Sequence, residues 1–199
     1  MSASRQRLGR ATGMLMLTGA TLGSLLDGIH SHFGAVSYTH PVFARTAWWV
    51  PLLYCGAYAL GAARPWLARN EPPLPAGKAA LGMGLFILAY ALTVAPWPLA
   101  VRAVIIGLLF VTGWWTCDRT RLGLLIAGLA AVGGPAVEIS LIHAGTFVHH
   151  EVLLWGIPGW LPLLYLTAAV GLSALARWLA RPLEAPGGAP GKAPGVGAP

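Results

Sequence analysis

Two carboxylates stand where carboxylates are costly. Asp27 and Glu138 each lie inside a run of apolar and small residues, and each is followed five residues later by a histidine, His32 and His143. All six histidines fall in two short stretches, HSHFGAVSYTH at residues 30–40 and HAGTFVHH at 143–150. Three chemistries fit an acid beside an imidazole. The acid can bond a neighbouring helix while the imidazoles are solvated in loops. The pair can exchange hydrogen bonds with the hydroxyl of a lipid headgroup. Or two carboxylates and several imidazoles can converge as ligands for zinc or iron. No run such as HExxH singles out a metal. No metal ligand or cofactor is therefore assigned, and no Ser or Cys has a base beside it in sequence that would name a nucleophile. Binding is favoured over catalysis, with a metal-dependent membrane enzyme using this acid and histidine cluster as the alternative.

The elements that must carry these groups are membrane helices. The chain is 56% apolar and 10% charged, with a mean hydropathy of +0.67, whereas a soluble domain carries roughly 25% charge. Six apolar runs approach the ~20 residues needed to cross a bilayer, at about 12–30, 46–63, 79–95, 99–116, 122–144 and 157–176. The third and fourth are separated only by PWP at 96–98 and form a hairpin. The expected fold is an all-α integral membrane domain of six transmembrane helices over residues 1–181. The Gly/Pro/Ala-rich end at 182–199 cannot bury a core and reads as a disordered cytoplasmic tail.

The charges set the orientation. With the N-terminus inside, only Arg45 and Arg102 of the 13 Lys and Arg residues fall outside. The positive-inside rule then places both termini in the cytoplasm. The net charge of +7 is thus a topology signal and excludes a nucleic-acid partner as its cause. Cys55 and Cys117 lie at different depths and read as packing residues.

The chain also looks like itself. Arg10 laid over Arg121 brings Gly23 to Gly134, Asp27 to Glu138, His32 to His143 and Gly34 to Gly145. With one-residue gaps allowed, His40 meets His150, and WVPLLY at 49–54 meets WLPLLY at 160–165. Helices 1–2 and 5–6 are expected to be a parallel repeat about an axis along the membrane normal. At 1.5 Å per residue, both acids sit about 25 Å above their arginines, in the outer third of the bilayer. A buried ionisable group there is a functional candidate. Asp27, His32, Glu138 and His143 are the candidate ligand-binding residues.

Three motifs in order, AWWVP at 47–51, GWWTCDRTRLG at 113–123 and GWLP at 159–162, resemble the Insig (insulin-induced gene) family of polytopic membrane proteins over about residues 12–180. The resemblance implies a six-helix fold with a lipid-accessible central cavity. Animal members bind oxysterols there and retain sterol-regulatory partners in the endoplasmic reticulum. Bacterial relatives look like binders of a diacylglycerol-type lipid. It also implies a partner or conformational role for Trp114, Trp115 and Asp118. Read from the residues alone, Asp118 pairs with a local arginine or caps the fifth helix, and the two tryptophans are interfacial anchors. The Ala/Gly/Pro/Arg-heavy composition points to a bacterial inner membrane, or to the endoplasmic reticulum if the source is eukaryotic. The expected partner is a diacylglycerol-like or sterol-like membrane lipid, and self-association of the chain is left open.

Overall fold

The computed structural model describes residues 3–68 and 71–181; the expected tail at 182–199 lies outside the described residues. The architecture is helical. Helix α1 (Ala3–Thr18) passes through a π-helical turn at Gly19–Gly23 into α2 (Ser24–His32). Two short strands, β1 (Val36–Tyr38) and β2 (Pro41–Phe43), precede β3 (Thr46–Ala47), and α3 (Val50–Gly61) leads directly into α4 (Ala63–Leu67). Helices α5 (Ala76–Leu92), α6 (Leu99–Cys117) and α7 (Arg121–His143) follow, then β4 (Phe147–His149) and α8 (Leu161–Leu179).

Local chemistry explains the boundaries. The Trp-x-Pro motifs are helix starts: α3 and α8 each carry proline in their first turn, where a missing N–H costs nothing and φ is already helical. Helices α5 and α6 follow Pro75 and Pro98 directly. Thr120 caps α7 by accepting from the Gly123 amide at 3.0 Å, satisfying one of the free donors at a helix start. Inside the first helical segment, the hydroxyls of Thr12, Thr18, Thr21 and Ser24 each bond the carbonyl four residues earlier. A polar side chain satisfied in this way can face an apolar surrounding.

Helices α6, α7 and α8 are long and apolar enough to cross a membrane, while α5 is apolar but shorter. The run at 46–63 yields a helix only from Val50, because Thr46–Ala47 pairs with β2 instead. The first run is interrupted by its π turn. Apolar composition alone does not reveal these backbone choices. Helix α8 is the hub, packing on α5, α7, α6 and α1. Helices α6 and α7 turn Val104, Leu108, Val111, Leu125, Leu129 and Val132 outward, an apolar surface of the kind a bilayer covers.

Small residues set the closest crossings. A Cβ on Gly171 would come 2.8 Å from the Gly82 carbonyl oxygen, so α5 and α8 meet backbone to backbone. A Cβ on Gly23 would lie 2.7 Å from the Tyr54 ring, and one on Gly134 would overlap the Tyr165 ring. Gly84 and Gly133, close in sequence to Gly82 and Gly134, have open space instead. Strands β1 and β4 pair antiparallel, Val36 with His149, Ser37 with Val148 and Tyr38 with Phe147. This ladder joins the two histidine-rich stretches at one end of the bundle.

Candidate functional site

The two acids are held by like sets of groups at like spacing. Tyr38, 11 residues after Asp27, donates its hydroxyl to Asp27 Oδ2 at 2.7 Å. Tyr54, 27 residues after Asp27, donates to Oδ1 at 3.3 Å. In the other half, His149 lies 11 residues after Glu138 and its Nε2 is 2.8 Å from Glu138 Oε2. Tyr165 lies 27 residues after Glu138 and donates to Oε1 at 2.7 Å. Each acid therefore takes a tyrosine from the fifth residue of the helix after the loop, one turn past the Trp-x-Pro start, and a donor from the short strand between. The glycine four residues before each acid, Gly23 and Gly134, is what lets that tyrosine ring lie against the acid's helix.

Electrostatics joins the halves. Burial raises the pKa of the Tyr38 phenol, and the Asp27 and Glu138 carboxylates raise it further. Tyr38 thus stays protonated as a donor, and both acids lie near enough to act on it. The network continues inward. The Tyr54 and Tyr90 hydroxyls are 2.9 Å apart; because Tyr54 gives its proton to Asp27, Tyr90 donates to Tyr54. His30 stacks on Tyr90 with ring centroids 4.2 Å apart. Its Nε2 lies 2.6 Å from Thr93 Oγ1, whose own proton goes to the Tyr90 carbonyl, so His30 is the donor.

Some buried polar atoms of this region have no protein partner. They include Tyr58 Oη, Ser31 Oγ and His149 Nδ1. Since the Nε2 proton of His149 is committed to Glu138, a neutral His149 presents Nδ1 as an acceptor. Buried polar atoms without partners are rare in folded proteins. A hydroxyl, which both donates and accepts, can satisfy atoms of this type.

The structure brings Asp27 and Glu138 to this network but not His32 or His143. His32 is exposed at the end of α2, edge-on to Phe33. His143 is exposed, with Nδ1 2.8 Å from the carbonyl of Ile139 on its own helix. The histidines in the network are His30 and His149. The cause is angular: His32 follows Asp27 by five residues, well past the i+3 and i+4 positions that share a helix face, while His30 stands at i+3. His149 arrives by strand pairing, which no helix spacing reports. Among the described residues, no group of three or more His, Cys, Asp or Glu side chains is placed to hold a metal ion.

At the other end of the bundle, Asp118 grips Arg64. The guanidinium, 0% exposed, meets Asp118 at 2.8 Å and Glu71 at 2.8 Å, and also reaches Thr120 Oγ1 at 2.8 Å. Burial alone would lower the Arg64 pKa, but the bonds to Asp118 and Glu71 outweigh it and raise it, so the charge is retained. Thr120, held by Asp118 at 2.7 Å, is the residue that caps α7. The Trp114 indole donates to the Thr120 carbonyl at 3.3 Å. Trp115 is exposed, with the Arg119 guanidinium 4.1 Å over its ring.

No family model matches the chain, and no curated protein does. Among solved structures, the crystal structure of MvINS, a mycobacterial Insig homolog from Mycobacterium vanbaalenii, superposes with a TM-score of 0.80 at 25% identity, over 88% of this chain and 97% of that one. This chain is Insig-like. A second structure, a cross-linked trimer of an MvINS variant, superposes with a TM-score of 0.76 at 24% identity over the same shares. Seen in this Insig-like chain, the Trp-Trp-Thr-x-Asp-Arg stretch is a structural joint. Asp118 ties the end of α6 to α4 and, through Thr120, to the start of α7, while Trp115 remains on the surface.

Proposed function

We propose that this chain is an Insig-type membrane protein that holds a diacylglycerol-like or sterol-like molecule by its hydroxyl, at the Asp27 and Glu138 network above a central lipid-accessible cavity. In this reading the six apolar runs are six spans, and the halves containing Asp27 and Glu138 are copies related by a parallel duplication. Both termini face the cytoplasm of a bacterial inner membrane, and residues 182–199 form a free tail. Self-association of the chain is part of the proposal, motivated by the cross-linked trimer of the MvINS variant.

One observation carries the reading. Two carboxylates are held in an apolar helical bundle by matched donors 11 and 27 residues later, with unpartnered buried polar atoms at Tyr58 and His149 beside them. Native mass spectrometry of the detergent-purified chain, combined with elemental analysis, tests this. The expected result is a co-purifying neutral lipid without stoichiometric metal, reduced in the Asp27→Asn, Glu138→Gln double variant. Stoichiometric zinc or iron lost in that variant would favour a metal-dependent enzyme. Lipid content unchanged by the variant would contradict the proposal.

A further inference from the structure

We infer that the end of the bundle opposite the acid network carries a second binding site, independent of the first, for a phosphate-bearing group. A cavity of about 190 Å³ opens where the start of α1, the segment after α4 and the end of α8 meet, and Arg7, Arg177 and Arg181 line it. Among the described lining residues the acid is Glu71, and its carboxylate already accepts from Nη2 and Nε of Arg64, at 2.8 and 3.0 Å. The local balance is therefore positive, on a site small enough for one headgroup.

The site is built rather than a chance gathering of surface arginines. Arg177 is fixed, donating to the Pro72 carbonyl at 3.3 Å, with its side chain 12% exposed and its Nε 3.5 Å from Glu71. That ion pair with Glu71 holds the Arg177 guanidinium at the wall of the cavity. Arg181 is braced over the Trp178 ring at 4.7 Å. Pro65, Pro72 and Pro73 stiffen the wall. The carbonyls that end α8 would repel an anion, but Arg10 covers those of Leu179 and Arg181 at 3.1 and 3.3 Å.

A phosphate matches this arrangement because several guanidinium groups can share its oxygens. Beside the cavity, Trp66 and Leu67 expose apolar surface, which suits the acyl part of a phospholipid. Basic pockets between helix ends are a known means of holding anionic headgroups. The shared chemistry is the phosphate, whether carried by a lipid or free in solution.

The test titrates the full chain in detergent, by native mass spectrometry, with dioleoyl phosphatidate, with dioleoylglycerol (the same lipid without its phosphate) and with sodium phosphate. Arg181 touches the bundle through the Trp178 ring and neither arginine forms a described ion pair, so Arg7→Gln, Arg181→Gln should fold, and a thermal melt checks this. Phosphatidate affinity should fall about 30-fold in that variant, roughly fivefold for each arginine removed, and should survive Asp27→Asn, Glu138→Gln. Dioleoylglycerol binding should ignore the arginine variant. If sodium phosphate alone binds with the same arginine dependence, the site takes free phosphate; if it neither binds nor competes, the site takes the lipid headgroup. Phosphatidate binding unchanged in a folded Arg7→Gln, Arg181→Gln variant overturns the inference. So does phosphatidate binding lost only in the acid variant, which would place both lipids in the first site.

Discussion

Replacing Arg64 with methionine should be among the most damaging single changes in the chain. Arg64 is fully buried, and its partner carboxylates have side chains 5% (Asp118) and 26% (Glu71) exposed. Methionine fills most of the volume, so the main loss is electrostatic. Asp118 is left as a buried charge with Thr120 as its remaining hydrogen-bond donor, and the Thr120 cap of α7 loses its brace. Breaking a buried pair from one side costs about 3–5 kcal/mol; Glu71, more exposed, adds little because solvent screens it. For a chain of this size each kcal/mol moves Tm by about 2–4 °C, so a drop of roughly 6–20 °C is expected in a detergent melt followed by Trp fluorescence. Adding Asp118→Leu to the Arg64→Met background should recover part of that loss, because the stranded charge is removed. A drop below about 2 °C, or no recovery in the double variant, would refute the view that Asp118 serves Arg64.

Gly134→Ala should destabilise by about 1–3 kcal/mol, since its Cβ would overlap the Tyr165 ring, whereas Gly133→Ala, with open space, should be neutral or slightly stabilising; paired melts check the contrast. Tyr165→Phe removes a 2.7 Å bond to Glu138 and should cost about 1.5–3 kcal/mol, more than Tyr54→Phe, whose bond to Asp27 is 3.3 Å. His143→Ala should leave both stability and retained lipid unchanged, because its side chain is exposed; a loss of lipid in that variant would return His143 to the site.

How much of this was legible depends on which kind of signal each residue carries. Asp27 and Glu138 stand out because acids inside apolar runs are rare and demand partners, and the structure supplies those partners. The glycines and the WxPLLY stretches could be matched by eye because they share residue types. The histidines misled for the same reason. Matching His40 to His150 required a gap, yet the donor that stands where His149 stands is Tyr38, a different residue with the same hydrogen-bonding task. Identity of role without identity of type is invisible to alignment by letter. The Tyr54 and Tyr165 hydroxyls could have been found: each follows its Trp-x-Pro motif inside one of the two WxPLLY stretches, and buried tyrosines need acceptors. The pairing of β1 with β4 could not have been, since strands of three residues leave no period to read. Arg64 counts in the sequence as one of the inside charges, yet an arginine flanked by alanines and a proline at a helix end also needs an acid, and Asp118 supplies it.

The most direct test of the account is a comparison of two ligands that differ at one group. Dioleoylglycerol and its acetylated form share both oleoyl chains, but acetylation adds a small ester and removes the hydroxyl donor, and the acid variant separates the loss of the donor from the added bulk. The account predicts that the full chain binds the free alcohol about tenfold or more tightly than the ester, corresponding to one charge-assisted hydrogen bond of at least roughly 1.5 kcal/mol, and that this difference disappears in the Asp27→Asn, Glu138→Gln variant. Equal dissociation constants for the two lipids, or a difference that persists in the variant, would contradict the claim that the buried acids recognise a lipid hydroxyl.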